Sequence, residues 1–253
     1  MNSKNKSENF VNLTFDDFRE LAKDPGLSRH QKVGFPDSYR AGKEKDIFCD
    51  MMRKLSQLEQ TEKTVLEIGP GCSELPIMLA KLCAKNLNKL IFIDSPEMLA
   101  YLPDASHISK YPGIFPEALK DNGVDFKGKV DVIIAYSVIQ YVFADGNIFG
   151  FLDKCLLLLR AGGQILLGDI PNLTMRKRFF SSEAGIKSHQ EYIGRDERPE
   201  ILFNQIESGQ MDDAVVFSIL ARARSQGFNA WVVPQSPTLP MANRREDILI
   251  CKP

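Results

Sequence analysis

The chain has 253 residues, 43% of them apolar, and its 32 basic and 33 acidic side chains leave a formal net charge of −1. That length and apolar share suit one large α/β domain, or a core domain with additions, and supply a substantial core. The near-neutral balance gives no global attraction to nucleic acid or to an anionic membrane, and the longest apolar runs, such as CLLLL at 155–159, are far too short to span a bilayer.

Residues 1–12 are polar and expected to fray. A short helix is expected over 14–24, where Thr14 can cap and Asp17 stands three residues on, a capping box. Residues 25–42 are rich in Gly, Pro and Ser and read as loop. Over 43–60, Ile47, Phe48, Met51, Met52, Leu55 and Leu58 recur at helical spacing. A strand–helix alternation follows. TVLEIG (64–69) reads as a strand, and 73–85 as a helix with Ser73 as N-cap and Pro76 in the first turn. KLIFID (89–94) is a second strand, SPEMLAYL opens a short helix, and ASHISKYPG (105–113) holds a weaker third strand. KVDVIIAYS (129–137) is the fourth strand. A helix over 147–160 is expected to end on the glycines of AGG (161–163), before QILLGDI (164–170) as the fifth strand. Residues 171–210 read as irregular and charged, with fragments of helix. A helix over 211–226 stops at Gly227, and the last two strands are 229–235 and 246–252.

Alternation this regular predicts a doubly wound, Rossmann-like sheet with helices on both faces. Only a loop joins the last two strands, so they should pair antiparallel. The expectation is a seven-stranded, mostly parallel α/β sheet with an antiparallel last strand. The five cysteines and three histidines show no zinc spacing, no metal site is expected, and the cysteines read as buried reduced thiols. The N-terminus lacks the apolar stretch of a signal peptide. A cytoplasmic protein is therefore expected.

Open α/β sheets bind ligands at the carboxyl ends of their strands. Here those ends bring Glu67–Ser73, Asp94–Ser95 and Tyr136–Gln140 to one crevice. A dinucleotide needs G-x-G-x-x-G with its pyrophosphate on the helix N-terminus. Gly69 and Gly71 fit the first two places, but Glu74 occupies the third and Glu67 stands at the strand end. Two carboxylates beside an anionic ligand are electrostatically wrong. They suit a ligand with positive charge and no phosphate, such as S-adenosylmethionine, with its sulfonium and ammonium groups. An acid at Asp94 can accept both hydroxyls of a ribose.

At VLEIGPGCS, FIDS, DVIIAYSVIQYV and LLRAGGQILLGD the chain resembles the class I S-adenosylmethionine-dependent methyltransferases. The resemblance covers roughly residues 60–170, and the final strand pair fits that family's seven-stranded sheet. It implies that Glu67, Gly69, Pro70 and Gly71 line the methionine part of the cofactor and that Asp94 binds ribose, with Ser95 beside it. Ile114 and Phe115 would pack on adenine where the family usually has an acid. Tyr136 and Ser137 would face the cofactor, and Gln140 and Tyr141 stand where many relatives carry a histidine. It divides the chain into an N-terminal helical extension or lid (1–60) and a methyltransferase domain (61–253) with a substrate-lid insertion at about 171–210.

For the methyl acceptor, position nominates Asp169 as base or substrate ligand, with a loop-ordering acid as the alternative. His189 is a second base if the lid folds over the site, and otherwise a surface histidine. Arg176, Lys177 and Arg178 could hold a phosphate or carboxylate of the acceptor, or simply open a solvated helix. Tyr39, Arg40 and Gln140 complete the candidate substrate residues. The GFPDSYR and GDIPN…KRFF elements look similar to those of methyltransferases near bacterial surface-sugar pathways. The expected function is methylation of a small polar metabolite, with O-methylation of a sugar or nucleotide-sugar for surface polysaccharide as the favoured case. The partners expected are a small-molecule acceptor and, as an open option, a homodimer mate, with no nucleic acid and no membrane. A nucleic-acid methyltransferase is the alternative, weakened because AYSVIQ (135–140) stands where amino-methylating enzymes carry Asn/Asp-Pro-Pro-aromatic. A non-catalytic S-adenosylmethionine-binding regulator is another, and an NAD-binding dehydrogenase is disfavoured by Glu74.

Overall fold

A computed structural model describes residues 13–205 and 207–253. The fraying expected at 1–12 lies outside the described residues. The first helix, α1 (Phe15–Lys23), starts on the expected capping box: Thr14 Oγ1 accepts from Asp17 N at 3.3 Å, and Thr14 N donates to Asp17 Oδ2 at 2.8 Å. The expected loop at 25–42 contains two single-turn helices, α2 (Arg29–Lys32) and α3 (Asp37–Arg40). A second capping box at Ser28 and Gln31 starts α2. The helical pattern of 43–60 is α4 (Glu44–Lys54) followed by a 3₁₀ turn at Ser56–Glu59.

Beyond it the chain alternates as expected. The elements are β1 (Thr64–Ile68), α5 (Glu74–Lys85), β2 (Lys89–Asp94), α6 (Pro96–Leu99), β3 (Ile108–Pro112), α7 (Glu117–Asp121), β4 (Val130–Tyr136), α8 (Ile139–Asp145), α9 (Ile148–Leu158) and β5 (Leu159–Pro171). Then come α10 (Leu173–Phe180), α11 (Glu183–Ile193), α12 (Asp213–Ser225), β6 (Asn229–Pro234) and β7 (Arg245–Cys251). The sheet order is β3-β2-β1-β4-β5-β7-β6. Strands β1 to β5 pair in parallel, and β7 runs antiparallel to both β5 and β6.

Successive strand residues point to opposite faces, so each central strand feeds two cores. Leu66, Ile68, Ile91, Ile93, Ile133 and Ile165 pack with Leu152 and Cys155 of α9 and Ile219 and Ala223 of α12. Val65, Leu90, Phe92, Val132, Ile134 and Leu166 pack on the other face with Ile47 and Met51 of α4 and Leu79 and Cys83 of α5. The chain winds outward from β1 in one direction and from β4 in the other. The switch point, and with it the crevice, lies between the carboxyl ends of those two strands.

Two expectations are corrected. The AGG glycines do not end α9, which stops at Leu158 and runs directly into β5. Instead the pairing with β4 jumps from Val130↔Leu159 to Val132↔Gln164, and Gly162, at φ +75°, donates to Lys252 O at 3.1 Å in that irregularity. Residues 171–210 are more ordered than expected. Asn172 and Ser182 cap α10 and α11 through their side chains, a local hydrogen-bond signal that outweighs the low apolar content. No helix of the described residues is long and apolar enough to cross a membrane. Among them no cluster of His, Cys, Asp and Glu could hold a metal ion.

Candidate functional site

A cavity of about 530 Å³ opens at the switch point, within the roughly 300–1,000 Å³ of small-molecule sites. Its floor is the β1 turn, the ends of β2 and β4, and the chain after β3: Glu67, Gly69, Pro70, Gly71, Asp94, Ile114, Phe115, Tyr136 and Ser137 all line it. Gly69 and Gly71 sit at φ +65° and +64°, where L side chains are strained. A Cβ at Gly69 would lie 2.7 Å from Val138 Cγ2, and one at Gly71 2.5 Å from Val33 Cγ1. The glycines thus shape the turn and admit both neighbouring valines.

Glu67 lies within β1, paired to Phe92 and Ile134, and is 3% exposed. Its Oε2 has no hydrogen-bond partner among the described residues. Burial, and then the charge of Asp94, push its pKa up to about 8. Asp94 accepts from Gly71 N at 2.8 Å and from Ser95 N at 2.6 Å. Burial still raises its pKa to about 6 against those bonds. Each carboxylate oxygen has two acceptor sites, so Asp94 can accept two more donors while holding the turn. Two neighbouring acids, Glu67 buried with an orphaned oxygen and Asp94 half-buried, fit a ligand that brings a positive group and hydroxyls.

Glu74 does not join them. Its side chain is about half exposed and pairs with Arg29 at 3.1 Å, away from the cavity lining. The charge argument from the sequence therefore rests on Glu67 and Asp94. Ser95 is also outside the lining; it is 1% exposed, and its Oγ accepts from Met98 N at 3.2 Å to cap α6. Phe115 is 7% exposed and meets Phe151 edge-on, with ring centroids 5.2 Å apart.

Asp169 is 3% exposed and sits where the pairing of β5 with β7 slips between Leu167 and Ile170, at φ +59°. That turn aims its carboxylate at Arg40 Nη2 (2.5 Å), Arg245 Nη1 (2.8 Å) and Ser137 Oγ (2.5 Å). Gln235 Nε2 reaches its other oxygen at 3.3 Å and also donates to Asp247 Oδ1 at 3.0 Å. Asp247 is held in turn by Lys54 at 2.7 Å. Burial raises the Asp169 pKa, but Arg245 and Arg40, with Ser137 and Gln235, outweigh it and hold the acid below its ordinary value. A carboxylate so stabilised is a weak base, and Asp169 is not in the cavity lining. Its geometry is that of the loop-ordering acid. It ties α3 to β5 and β7.

The other acceptor candidates are dispersed. Arg40 lines the cavity with its guanidinium 4.1 Å from the Phe35 ring centroid. Gln140 Nε2 donates to Ser137 O at 2.9 Å, and Gln140 lies outside the lining. His189, on α11, stands edge-on to Phe180 at 6.3 Å and is not part of the lining. Arg178 pairs with Asp213 at 2.5 Å with its side chain half exposed. Tyr39 and Arg176 line a second, smaller cavity. Among the described residues, none from 171–210 lines the main one.

The wall facing the switch point comes from the N-terminal segment, which contributes Phe15, Phe18, His30, Val33, Phe35 and Glu44, together with Tyr141 and Val142 of α8. Phe18 meets Tyr141 edge-on at 4.9 Å. His30 Nδ1 lies 3.0 Å from Asp37 Oδ1, and its Nε2 contacts the Glu44 carboxylate. The sequence marks this segment as an extension or lid, but of its residues in the lining it singles out only Arg40. The signal available was the aromatic periodicity of 15–18, which is equally that of any amphipathic helix.

No family model matches the chain. A stretch of 187 residues is 27% identical to chondramide synthase cmdD of Chondromyces crocatus, covering 68% of this chain and 4% of that protein. The chain thus spans a small fraction of that relative's length. Among solved structures it is similar to the plantazolicin methyltransferase BpumL in complex with a triazolic desmethylPZN analog and SAH, with a TM-score of 0.57, 15% identity and coverage of 94% of this chain and 99% of that one. The CurJ carbon methyltransferase matches with a TM-score of 0.53 at 15% identity, covering 94% of this chain and 64% of its own. Phosphoethanolamine N-methyltransferase 2 of Haemonchus contortus, in complex with S-adenosyl-L-methionine, matches at 0.52 and 11% identity, covering 93% and 60%. The chain has the fold of the class I S-adenosylmethionine-dependent methyltransferases.

Proposed function

We propose that the protein transfers a methyl group from S-adenosylmethionine to a small biosynthetic acceptor held under its N-terminal segment. The observation that carries this reading is Glu67, a buried acid with an orphaned oxygen in the wall of a nucleoside-sized cavity. Bound S-adenosylmethionine would supply a methyl group already activated by the sulfonium. Glu67 would accept from its ammonium, Asp94 from its ribose hydroxyls, and Ile114 and Phe115 would cover its adenine.

The remaining task is alignment of the acceptor and, for a hydroxyl, removal of its proton. Phe15, Phe18, Val33 and Phe35 support an acceptor with an apolar ring or chain. The His30–Glu44 pair on the same wall gives a polar group able to orient a hydroxyl or amine, through the Glu44 carboxylate since both His30 nitrogens already face acids. A sugar or nucleotide-sugar acceptor would present its hydroxyls to that pair, but the aromatic wall supports a less polar body. The likeness to the plantazolicin methyltransferase BpumL, the CurJ carbon methyltransferase and chondramide synthase supports a natural-product or peptide acceptor in the same way.

Binding titrations test the cofactor assignment. S-adenosylmethionine and SAH should bind and NAD should not, and Asp94→Ala should abolish S-adenosylmethionine binding. Tight NAD binding without S-adenosylmethionine binding would overturn the reading.

A further inference from the structure

Behind the Asp169 network lies a second cavity, of about 240 Å³, formed where α3, α10 and the chain entering β7 meet. Three arginines line it, Arg176, Arg244 and Arg245, with Tyr39, Asn172 and Gln210 among the polar neighbours. Their charges are unequally matched. Arg245 is answered by Asp169, through Nη1 at 2.8 Å to Oδ2 and 3.0 Å to the backbone carbonyl. Neither Arg176 nor Arg244 has a carboxylate partner among the described residues, and Arg244 Nε is buried with no acceptor. The nearby acids are engaged elsewhere: Asn172 Nδ2 holds Asp213 at 2.7 Å and Glu246 at 2.6 Å, and Arg178 holds Asp213 again.

The two unanswered guanidinium groups flank one ring, lying 5.7 and 5.5 Å from the Phe180 centroid. Aromatic packing orients them but does not cancel their charge. Burial, together with Arg176 and Arg245, pulls the Arg244 pKa below the usual arginine value against the influence of Tyr39. Arg176 reaches solvent, but Arg244, with its Nε buried and unanswered, leaves a positive charge in the hollow that an anion would offset. Guanidinium forks match the paired oxygens of phosphates and carboxylates. The cavity is below the roughly 300 Å³ where whole small-molecule sites begin, so it suits an oxyanionic group.

We infer that this cavity is an oxyanion-binding site, built by Arg176 and Arg244 with Tyr39 and Gln210 as further donors, that takes a phosphate or carboxylate group. It is separate from the methyl-transfer reading, since no residue lines both cavities. The two are nonetheless in contact. Phe35 stacks on Arg40 of the first at 4.1 Å and lies 5.6 Å from Arg245 of the second.

The test is a thermal-shift and calorimetric titration of the full chain with inorganic phosphate, and separately with acetate, at low chloride and constant ionic strength. The expected result is saturable binding of at least one anion, weakened tenfold or more in Arg244→Gln. Arg176→Gln should weaken it several-fold, and that exposed position can change without threatening the fold. Arg222→Gln, whose partner is Asp153 on the outer surface, should leave it unchanged. Binding of phosphate alone or of acetate alone names the class of anion. Absence of saturable binding to either, or equal binding by the Arg176→Gln/Arg244→Gln double variant, would overturn the proposal. S-adenosylmethionine affinity, measured on the same samples, reports on the main cavity independently.

Discussion

Glu67 and Asp169 are both 3% exposed carboxylates on strands near the switch point, yet their proton affinities move in opposite directions. Burial raises both. The difference is the company each keeps. Asp169 meets two arginines, a serine and a glutamine, whereas Glu67 meets another acid. A buried acid that the chain itself neutralises acts as a tie within the fold, whereas one left unanswered is the candidate to bind a ligand. The comparison separates the half of the crevice built by β1 and β2 from the half built by β5 and β7.

The largest effect should come from breaking the tie. Asp169→Asn keeps the side-chain shape and tolerates the left-handed backbone, but leaves buried Arg40 and part-buried Arg245 without their counter-charge. Breaking such a pair costs about 3–5 kcal/mol, measurable by urea unfolding at neutral pH. Because the folded-state pKa of Asp169 is depressed, its contribution is present above the unfolded value near 3.8 and is lost as pH falls through the lower folded value. The gap between wild type and variant should therefore close in strong acid. S-adenosylmethionine affinity should change little. A stable variant that had lost the cofactor would place Asp169 in the binding group after all.

Glu67→Gln should act in the reverse sense. It removes a charge-assisted hydrogen bond to the ligand, typically about 1.5–3 kcal/mol, so S-adenosylmethionine affinity should fall roughly ten- to a hundredfold. The apo protein should become more stable. The raised pKa means that wild-type stability is fullest below the unfolded value of 4.5 and declines as pH rises to about 8. Glutamine removes that decline. Cofactor binding near pH 7 should also release a proton from Glu67, seen as a dependence of the calorimetric heat on buffer ionisation enthalpy. Binding to wild type with no proton release, and equal affinity in the variant, would dissolve the contrast with Asp169.

Most of the sheet is legible in the sequence, because continuous apolar runs such as LIFI and VIIA have to be buried on both faces. The antiparallel ending follows from the short connection between the last two strands. The β1 turn is legible too, through its glycines and Glu67. The division of labour among the acids is less so. The strand-end position of Asp169 marks it as near the site, but its engagement depends on Arg40 and Arg245, which are 129 and 76 residues away in the chain. Which segment borders the crevice is harder still to read. The 171–210 segment begins at the right strand end, but α10 and α11 pack on each other and α10 also on α12. The polar GFPDSYR stretch folds inward because Arg40 finds Asp169.

The smallest expected effect concerns the β1 turn. Glu74, at the third position of the incomplete dinucleotide fingerprint, was the residue that argued most plainly from sequence against a pyrophosphate. Its carboxylate reaches Arg29 at 3.1 Å with both side chains about half exposed, so screening leaves that pair worth about 0–1 kcal/mol. Glu74→Gln should change stability by no more than that and leave S-adenosylmethionine affinity within about twofold. If it instead weakened binding as much as Glu67→Gln, the ligand's positive end would lie at the start of α5 rather than against β1, and the two acids would have to exchange roles. Where the helix begins on an exposed acid already paired with Arg29, and the strand ends on a buried acid with an unanswered oxygen, the proposed binding mode puts the ligand's cation against the strand.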